Sequence, residues 1–490
     1  MKQLDNRTLD FIKKKLCLFI SNEWVAPAEG ETFATLNPAD GTVLTEVASA
    51  GEADVDAAVE AGQKAFDSEV RDMNPAKRAA LIHKLADLLE RDLEPLSQLE
   101  CLDNGKPLNR AKGDIKAAIS HFRYYAGWAD KIEGSSIPVH SPGVMVQTLR
   151  EPLGVVGLIV PWNFPLTMAA WKLGPALACG NCCILKPAEQ TPVTALYLGQ
   201  LIAEAGFPPG MVQVLTGNGE TGSLLTHHHG IRKIGFTGST GVGRKILEAS
   251  AKSNLKKVSL ELGGKSPNII FDDADMNRVR ETLVWASFFN SGQECTLGSR
   301  VYIQKKRFDE VSEYLANDAK KLSIGRGLEN PDLGPLVSSE QVERVQGYIR
   351  TGKGEAELIL GGNRVGGELA DGYFVEPTIF RTGNHDAAII REEIFGPVVT
   401  VTSFEEEEEL VAYANDSRYG LASAIWTQDI SRAYRVARKI EAGVVWINGY
   451  DMFHPAVPFG GYKESGFGRE MGKSALELYT QEKAIWTNLQ

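Results

Sequence analysis

From residue 154 onward, short apolar segments alternate with helix-like segments, and this alternation leaves the chain very few folds to adopt. The apolar segments include residues 154–161, 182–186, 212–216, 233–237 and 258–262. Continuous apolar strands separated by helices are typical of a parallel sheet with helices on both faces. Ligands of such sheets bind beyond the carboxyl ends of the strands. We therefore expect the functional site at that edge.

A second alternating set runs from residue 266 to about residue 448 and includes the strands PNIIF, RVYI, VVTVTSF, SAIWT and VVWIN. A chain of 490 residues is too long for one ordinary core. We therefore predict an α/β protein with two doubly wound parallel-sheet domains that meet near residues 261–266. A small β arm is predicted as well, because the closing strand AIWTN can pair with residues 144–149 or with another subunit.

Charge and cysteine usage argue against several kinds of partner. The net charge is −11 and the longest single-sign run, residues 405–409, is acidic, whereas nucleic acids and anionic membranes need a basic face. Six cysteines in so long a chain indicate reduced thiols. The group Cys179, Cys182 and Cys183 lacks the second pair of a structural zinc site, so we expect no metal. The N-terminal segment LCLFI is too short for an export signal, and we expect a cytoplasmic protein.

Three residues in separate motifs carry reactive groups. Cys295 follows a predicted helix end in FFNSGQEC, in a polar turn where a thiol can meet a ligand. Glu261 lies in an apolar strand, where burial raises a carboxyl pKa toward that of a general base. Asn163 lies between two prolines in PWNFP, on a fixed loop from which an amide can donate to an oxyanion. Each has an ordinary structural interpretation, but together they supply nucleophile, base and oxyanion donor.

Two glycine patterns compete for a phosphate. TGNGETG, which contains Gly219, has the spacing of a dinucleotide fingerprint but lacks the usual acidic residue about 20 positions on. GSTGVG begins with Gly238 and Ser239 and also lies between strand and helix, where backbone amides attract anions. Either pattern also suits a plain strand–helix turn.

The segment LKPAEQTP ends a strand with Lys186 and places Glu189 three residues later. The acid that binds a nucleotide ribose lies at a strand end of this kind. A carboxylate there repels a 2′-phosphate, so Glu189 favours NAD over NADP. A surface ion pair is the alternative interpretation.

Taken in order, these motifs resemble those of the NAD(P)-dependent aldehyde dehydrogenase superfamily over essentially the whole chain. The matching segments are PWNFP, LKPAEQTP, FTGSTGVG, LELGGKSPNII, FNSGQEC, EEIFGPV and PFGGYKESGFGRE. Cys295 and Glu261 lie 34 positions apart, as expected of the hydrolytic branch, which does not transfer the acyl group to coenzyme A. The resemblance implies NAD as cofactor, a small aldehyde as substrate and a homodimer or homotetramer.

The resemblance also assigns roles to residues. It makes Cys295 the nucleophile, Glu261 the base for the deacylating water, Asn163 an oxyanion donor with the Cys295 backbone amide, and Glu470 a proton relay. Contacts with the cofactor are implied for Trp162, Lys186, Glu189, Gly219, Gly238, Ser239, Glu393 and Phe395. The substrate tunnel is implied to contain Phe164, Trp171, Phe289, Glu294, Thr296, Asp451, Phe453 and Phe459. The resemblance implies three parts of the chain. The NAD-binding domain comprises residues 1–128 and 150–262, and the catalytic domain comprises residues 263–468. The oligomerisation segment comprises residues 129–149 and 469–490.

The substrate is less determined than the reaction. An aromatic-rich tunnel suits an apolar or aromatic aldehyde, whereas Asp451 and Glu294 favour an amino- or ammonium-aldehyde. We expect the Glu294 side chain to point away from the pocket, because a negative charge beside Cys295 raises the thiol pKa and slows acylation. Two other classes remain as alternatives: a cofactor-independent cysteine esterase that uses Cys295 and Glu261, and a structural protein without catalysis.

Overall fold

The structure is a computed structural model, and it describes residues 4–490. Helices cover much of the surface of its two main sheets. Their bounds are Asn6–Ile12, Glu52–Ala65, Phe66–Val70, Pro75–Arg91, Leu93–Asn104, Leu108–Ala126, Pro165–Ala178, Val193–Ala205, Gly219–His227, Thr240–Lys252, Met276–Phe288, Phe308–Ala319, Ser339–Glu355, Ala388–Arg391, Glu407–Asn415, Ile430–Ala437 and Ser474–Leu478. Short 3₁₀ turns span Phe289–Gly292, Lys305–Arg307, Gly327–Glu329 and Gly367–Leu369.

The first sheet has eight strands, and its five central strands run parallel. In order across the sheet they are Glu23–Val25, Leu18–Ile20, Val212–Val214, Cys182–Lys186, Val155–Ile159, Lys233–Thr237, Lys257–Glu261 and Gly466–Phe467. The parallel pairs include Val155–Ile159 with Cys182–Lys186 and Lys233–Thr237 with Lys257–Glu261. The five central strands are the apolar segments predicted from the sequence. The antiparallel addition of Leu18–Ile20, Glu23–Val25 and Gly466–Phe467 at the edges of this sheet was not predicted.

The second sheet has seven strands and, like the first, is mainly parallel. Across the sheet they are Glu357–Leu360, Thr378–Arg381, Val398–Phe404, Arg300–Gln304, Pro267–Ile270, Ala422–Trp426 and Val444–Ile447. Six of them run parallel, and Glu357–Leu360 is antiparallel at one edge. Val301 and Ile303 pack into one apolar core while Tyr302 packs into another, as period-2 alternation requires of a strand covered on both faces. The predicted fold class is therefore confirmed.

Three small sheets complete the described part of the chain. Thr480–Asn488 pairs antiparallel with Val144–Pro152, which also pairs with Ser136–Ile137. The other two sheets are antiparallel pairs, Thr32–Leu36 with Val43–Ala48 and Tyr419–Gly420 with Tyr462–Lys463. The closing strand therefore pairs with residues 144–152 of its own chain. Within residues 4–490, every helix is too short or too polar to cross a membrane.

Candidate active site

A cavity of about 560 Å³ lies at the carboxyl ends of the central strands of the first sheet, where they face segments of the half of the chain that forms the second sheet. One wall comes from the segments that follow Val155–Ile159, Lys233–Thr237 and Lys257–Glu261 in the first sheet. The other wall comes from residues 282–296, from residues 393–395 and from residues 450–459. The site therefore occupies the position that parallel sheets reserve for ligands.

Cys295 reaches this cavity because the chain turns sharply after the helix Met276–Phe288. Asn290, Ser291 and Gly292 have φ values of 49°, 55° and 73°, the left-handed region that reverses the chain direction. Gly264 lies directly against the carbonyl of Cys295, and a Cβ at residue 264 would overlap that oxygen. Burial raises the pKa of the Cys295 thiol well above its ordinary value, and the neighbouring Glu294 carboxyl raises it further. The resting Cys295 side chain is therefore a neutral thiol.

Asn163 is buried at the cavity wall, on the loop that follows Val155–Ile159. Its side-chain Nδ2 donates to the carbonyl of Gln293 at 3.0 Å, which holds the amide beside the Cys295 turn. Its backbone carbonyl accepts from Lys106 Nζ at 2.8 Å and from Asn290 Nδ2 at 3.2 Å. Asn163 is thus held through both its side chain and its backbone before any substrate binds, as an oxyanion donor needs to be.

Glu261 ends the strand Lys257–Glu261 and lines the same cavity. Neither of its carboxyl oxygens has a hydrogen-bond partner among the described residues. Burial raises its pKa well above the ordinary value for glutamate, and the Glu470 carboxylate raises it further. A buried carboxyl with free oxygens and a raised pKa is suited to accept a proton from water.

Glu470 is buried beside the cavity and is held by a lysine that sequence reasoning missed. Lys172 Nζ donates to a carboxylate oxygen of Glu470 and to Thr237 Oγ1, the latter at 2.8 Å. The side chain of Lys172 is fully buried. The sequence does contain a signal for this buried lysine, because Lys172 is the one charged residue in the apolar helix Pro165–Ala178. A charge in such a setting needs a buried partner.

Glu294 lies against the cavity, so the expectation that its side chain points away is wrong. The residue is 6% exposed and lines the cavity beside Asp451 and Thr296, and Thr296 Oγ1 donates to Asp451 Oδ1 at 3.1 Å. The turn at residues 290–292 fixes this direction, since it brings both Glu294 and Cys295 onto the cavity wall. Burial and the neighbouring Asp451 carboxyl raise the pKa of Glu294 well above its ordinary value, so Glu294 keeps its proton to higher pH than an exposed glutamate, and when ionised it raises the pKa of the Cys295 thiol.

Several residues at the other end of the cavity are suited to a dinucleotide. Glu393 Oε1 accepts from the backbone N–H of Gly264 at 2.9 Å, and Glu393 Oε2 remains for a ligand hydroxyl. Trp162 and Phe395 meet edge to face at 5.2 Å between ring centroids. Gly238 and Ser239 lie at the N-terminus of the helix Thr240–Lys252, where backbone amides favour an anion. The cavity wall thus offers a carboxylate for a ribose, flat aromatic surfaces and amides for a phosphate.

The predicted residues Lys186, Glu189 and Gly219 do not line this cavity. Lys186 ends the strand Cys182–Lys186, and its Nζ lies 4.0 Å from Glu189 Oε2. The Glu189 side chain is 43% exposed. Gly219 begins the helix Gly219–His227, whose Gly222 lies next to the Lys186 side chain. The Glu189 side chain and Gly219 are exposed at the same sheet edge, beyond the cavity, whereas Lys186 between them is buried.

Aromatic side chains line the substrate end of the cavity. Phe164 stacks with Phe289 at 6.4 Å, and Trp171 meets Phe459 edge to face at 5.2 Å. The predicted tunnel residues Phe164, Trp171, Phe289, Glu294, Thr296, Asp451, Phe453 and Phe459 all line the cavity. Sequence reasoning missed His121, a polar lining residue whose pKa burial lowers to about 4. The imidazole is therefore neutral at physiological pH.

The remaining cysteine cluster lies in the first core. Cys179, Cys182 and Cys183 are each at most 3% exposed, and burial raises the pKa of each thiol. Within residues 4–490, histidine, cysteine and acidic side chains form no group placed to hold a metal ion. These cysteines act as small apolar side chains.

Comparison with known proteins agrees with this arrangement. The pattern of the aldehyde dehydrogenase family matches residues 24–485. An aldehyde dehydrogenase of Emericella nidulans is 49% identical over 476 residues, covering 96% of this chain and 95% of the relative. The NAD⁺ complex of an aldehyde dehydrogenase from Bacillus cereus superposes with a TM-score of 0.97 at 47% identity, covering 100% and 99% of the two chains. A betaine aldehyde dehydrogenase from Staphylococcus aureus in complex with NAD⁺ gives 0.96 at 37% identity, with 99% and 97% covered. The chain belongs to the aldehyde dehydrogenase family.

Proposed function

We propose that this protein oxidises an aldehyde to the carboxylic acid with NAD⁺, through a thiohemiacetal and then a thioester on Cys295. The observation that carries this proposal is that Cys295, Asn163 and Glu261 line one cavity, although they come from three separate segments of the chain. The solved structures of relatives from Bacillus cereus and Staphylococcus aureus contain NAD⁺ and support the choice of cofactor.

Acylation begins with loss of the Cys295 proton and attack of the sulfur on the aldehyde carbon. The carbonyl oxygen becomes an oxyanion, which accepts hydrogen bonds from Asn163 Nδ2 and from the backbone N–H of Cys295. Loss of hydride from the tetrahedral carbon then leaves a thioester on Cys295. Bound NAD⁺ supplies the hydride acceptor for this oxidation.

Deacylation uses the two buried glutamates. Glu261 takes a proton from water, and the hydroxide attacks the thioester carbon, which releases the acid and returns the thiolate of Cys295. Glu470 relays the proton onward from Glu261, and Lys172 holds the Glu470 carboxylate in place. The closeness of the two carboxyls, which raises the pKa of Glu261, supports this coupling.

The cofactor is held along the carboxyl edge of the first sheet. Glu393 binds the nicotinamide ribose, Phe395 and Trp162 flank the cofactor, and Gly238 with Ser239 lies against the pyrophosphate. At the exposed end, Lys186 and Glu189 bind the adenosine ribose and Gly219 lies near the adenine. The carboxylate of Glu189 selects NAD over NADP because it repels a 2′-phosphate.

The substrate is an aldehyde with an apolar or aromatic body, because six aromatic side chains line the substrate end of the cavity. They are Phe164, Trp171, Trp285, Phe289, Phe453 and Phe459. An amino- or ammonium-aldehyde is the second candidate. It is favoured by the buried carboxyls of Glu294 and Asp451 and by similarity to a betaine aldehyde dehydrogenase.

A screen for NADH formation tests the reaction. We expect absorbance of NADH with short aliphatic, aromatic or amino-aldehydes, and no signal with any of them in Cys295→Ala. Persistent NADH formation by that variant would defeat the covalent mechanism. Ester cleavage without NAD, together with no NADH from any aldehyde, would identify a cofactor-independent esterase instead.

We also propose that the arm formed by Val144–Pro152 and Thr480–Asn488 joins copies of the chain into a dimer or tetramer. Large apolar side chains on the arm are exposed, among them Leu149, Ile485 and Trp486. The division into an NAD-binding domain, a catalytic domain and an oligomerisation segment at the predicted boundaries remains part of this proposal, and residues 1–3 lie outside the described residues. Truncation from Gln481 onward should give monomers or aggregates by light scattering, and an unchanged oligomer would refute the assignment.

A further inference from the structure

One buried lysine contacts the loop that carries the oxyanion donor, and the proposed reaction gives it no role. Lys106 lies two residues after the helix Leu93–Asn104, and its side chain is 1% exposed. Its Nζ donates to the backbone carbonyl of Asn163 at 2.8 Å and lies 4.4 Å from the centroid of the Phe164 ring. A single cation therefore contacts two successive residues of this loop.

The chain reaches the loop from the end of the helix through a turn that requires glycine. Gly105 has a φ of 93°, and a Cβ there would overlap the side chains of two prolines. The preceding Asn104 donates from Nδ2 to the carbonyl of Trp162 at 2.7 Å, and its Oδ1 accepts from the backbone N–H of Lys106 at 3.2 Å. The side chains of Asn104 and Lys106 thus hold consecutive carbonyls, those of Trp162 and Asn163.

Two buried carboxyls hold the ammonium group of Lys106. Its Nζ donates to a carboxylate oxygen of Asp114 and lies 3.7 Å from Glu100 Oε1. The Glu100 side chain is fully buried, and that of Asp114 is 14% exposed. A hydrogen bond from a charged donor is about twice as strong as one between neutral groups. The bond from Lys106 to the Asn163 carbonyl is therefore strong, and its direction is fixed.

The direction of the Asn163 side-chain amide depends on the backbone that Lys106 holds. An amide nitrogen carries two hydrogens, and one of those on Asn163 Nδ2 is donated to the carbonyl of Gln293 at 3.0 Å. The second hydrogen remains for an oxyanion. Rotation of the backbone at Asn163 would change the direction of this hydrogen, and a misplacement of about 1 Å can lower a rate roughly 10²-fold.

We propose that Lys106 is a positioning residue for the oxyanion site, because by holding the Asn163 carbonyl it keeps the second hydrogen of Asn163 Nδ2 directed at the aldehyde oxygen. This role deepens the proposed function and rests on it for the identity of the reaction. Lys106 acts on the rate through Asn163. The NAD⁺ site does not depend on Lys106, because Asn104 holds the Trp162 carbonyl separately.

Removal of the ammonium group tests this role. In Lys106→Met, we expect the rate of the first NADH turnover to fall roughly 10²-fold, while the dissociation constant of NAD⁺ stays unchanged. Lys106→Arg retains a charged donor and should recover part of the rate. Lys256→Met is the matched control, because Lys256 is also buried and donates to a carbonyl and a hydroxyl oxygen away from the cavity. It should leave the rate unchanged, and an equal loss there would overturn the proposal.

A double-mutant cycle separates positioning from a general loss of structure. Asn163→Ala removes the donor and should lower the first-turnover rate roughly 10²- to 10³-fold. Because Lys106 acts through Asn163, adding Lys106→Met to this variant should lower the rate by no more than about twofold. A second loss of about 10²-fold in the double variant would show that Lys106 acts independently of the oxyanion donor, and would overturn the proposal.

Crystal structures of the unmodified protein and of Lys106→Met give a readout that does not depend on turnover. We expect the bond from Asn163 Nδ2 to the Gln293 carbonyl to be lost, or residues 162–164 to move by about 1 Å. An unchanged loop overturns the positioning role even if aldehydes are oxidised. A displaced loop, in a protein whose unmodified form makes no NADH from any aldehyde, supports control of Asn163 by Lys106 and refutes the proposed function. If Lys106→Met does not fold, the double variant with Asp114→Asn, which removes the cation together with its carboxylate partner, serves in its place.

Discussion

Replacement of Glu261 by glutamine should separate the two halves of the reaction. The substitution keeps the shape of the side chain but removes its ability to accept a proton from water. A general base contributes about 10²- to 10⁴-fold to a rate, which corresponds to roughly 2.7–5.5 kcal/mol of barrier. We expect a value near the middle of this range, about 10³-fold on kcat, because Glu470, the carboxylate that acts on Glu261, is already paired with Lys172.

The structure also predicts what the substitution leaves intact. The Glu261 side chain makes no hydrogen bond within the described residues, so its replacement breaks none and the melting temperature should stay within a few degrees. Acylation does not use Glu261, so one equivalent of NADH per Cys295 should still form before turnover stops. Because the pKa of Glu261 is raised, the base is protonated at low pH. The deacylation rate of the unmodified enzyme should therefore rise with pH, and this rise should be absent from Glu261→Gln.

Stopped-flow measurement of NADH, with intact-protein mass spectrometry, checks these expectations. Mass spectrometry should detect the acyl group on the protein after the burst. Glu368→Gln, which changes an exposed carboxylate outside the cavity, should behave as the unmodified enzyme. Loss of the burst would mean that Glu261 acts before hydride transfer. An unchanged steady-state rate would show that another group activates the water.

Three further outcomes are expected. Glu294→Gln should move the pH profile of kcat/KM for a neutral aldehyde to lower pH, because loss of the Glu294 carboxyl lowers the pKa of the Cys295 thiol. An unchanged profile would show that Glu294 does not affect the pKa of this thiol. Lys172→Met should destabilise the protein by about 3–5 kcal/mol, since it leaves Glu470 charged and unpaired. Thermal unfolding should show that part of this stability returns in the double variant with Glu470→Gln. If none returns, the lost stability does not come from the unpaired Glu470 charge. Glu189→Gln should raise kcat/KM for NADP⁺ relative to NAD⁺ by roughly tenfold in initial-rate assays, and an unchanged ratio would place cofactor selection at another residue.

Local pattern accounts for the fold class and for the reactive residues. The strands Val155–Ile159 and Lys233–Thr237 are apolar throughout because both faces of a parallel sheet are covered, so the sequence shows them directly. Asn163, Glu261 and Cys295 could be predicted because each lies in a short segment whose strand ends, prolines or glycines are visible in the sequence. The pairing of Leu18–Ile20 and of Gly466–Phe467 with the first sheet could not be predicted, since it depends on segments far away in the chain.

Side-chain direction and long-range pairing were decided by the tertiary structure alone. The left-handed turn at Asn290 and Ser291 sends Glu294 to the cavity, and no periodicity in the sequence predicts the direction of a side chain in such a turn. Thr296 meets Asp451 across 155 positions, and Lys172 meets Glu470 across 298. The sequence by itself determined which groups are available for chemistry, because reactivity belongs to residue types and their local setting. The tertiary structure decided which of these groups hydrogen-bond or interact electrostatically with one another, because that depends on distances of a few ångströms between segments that are remote in the sequence.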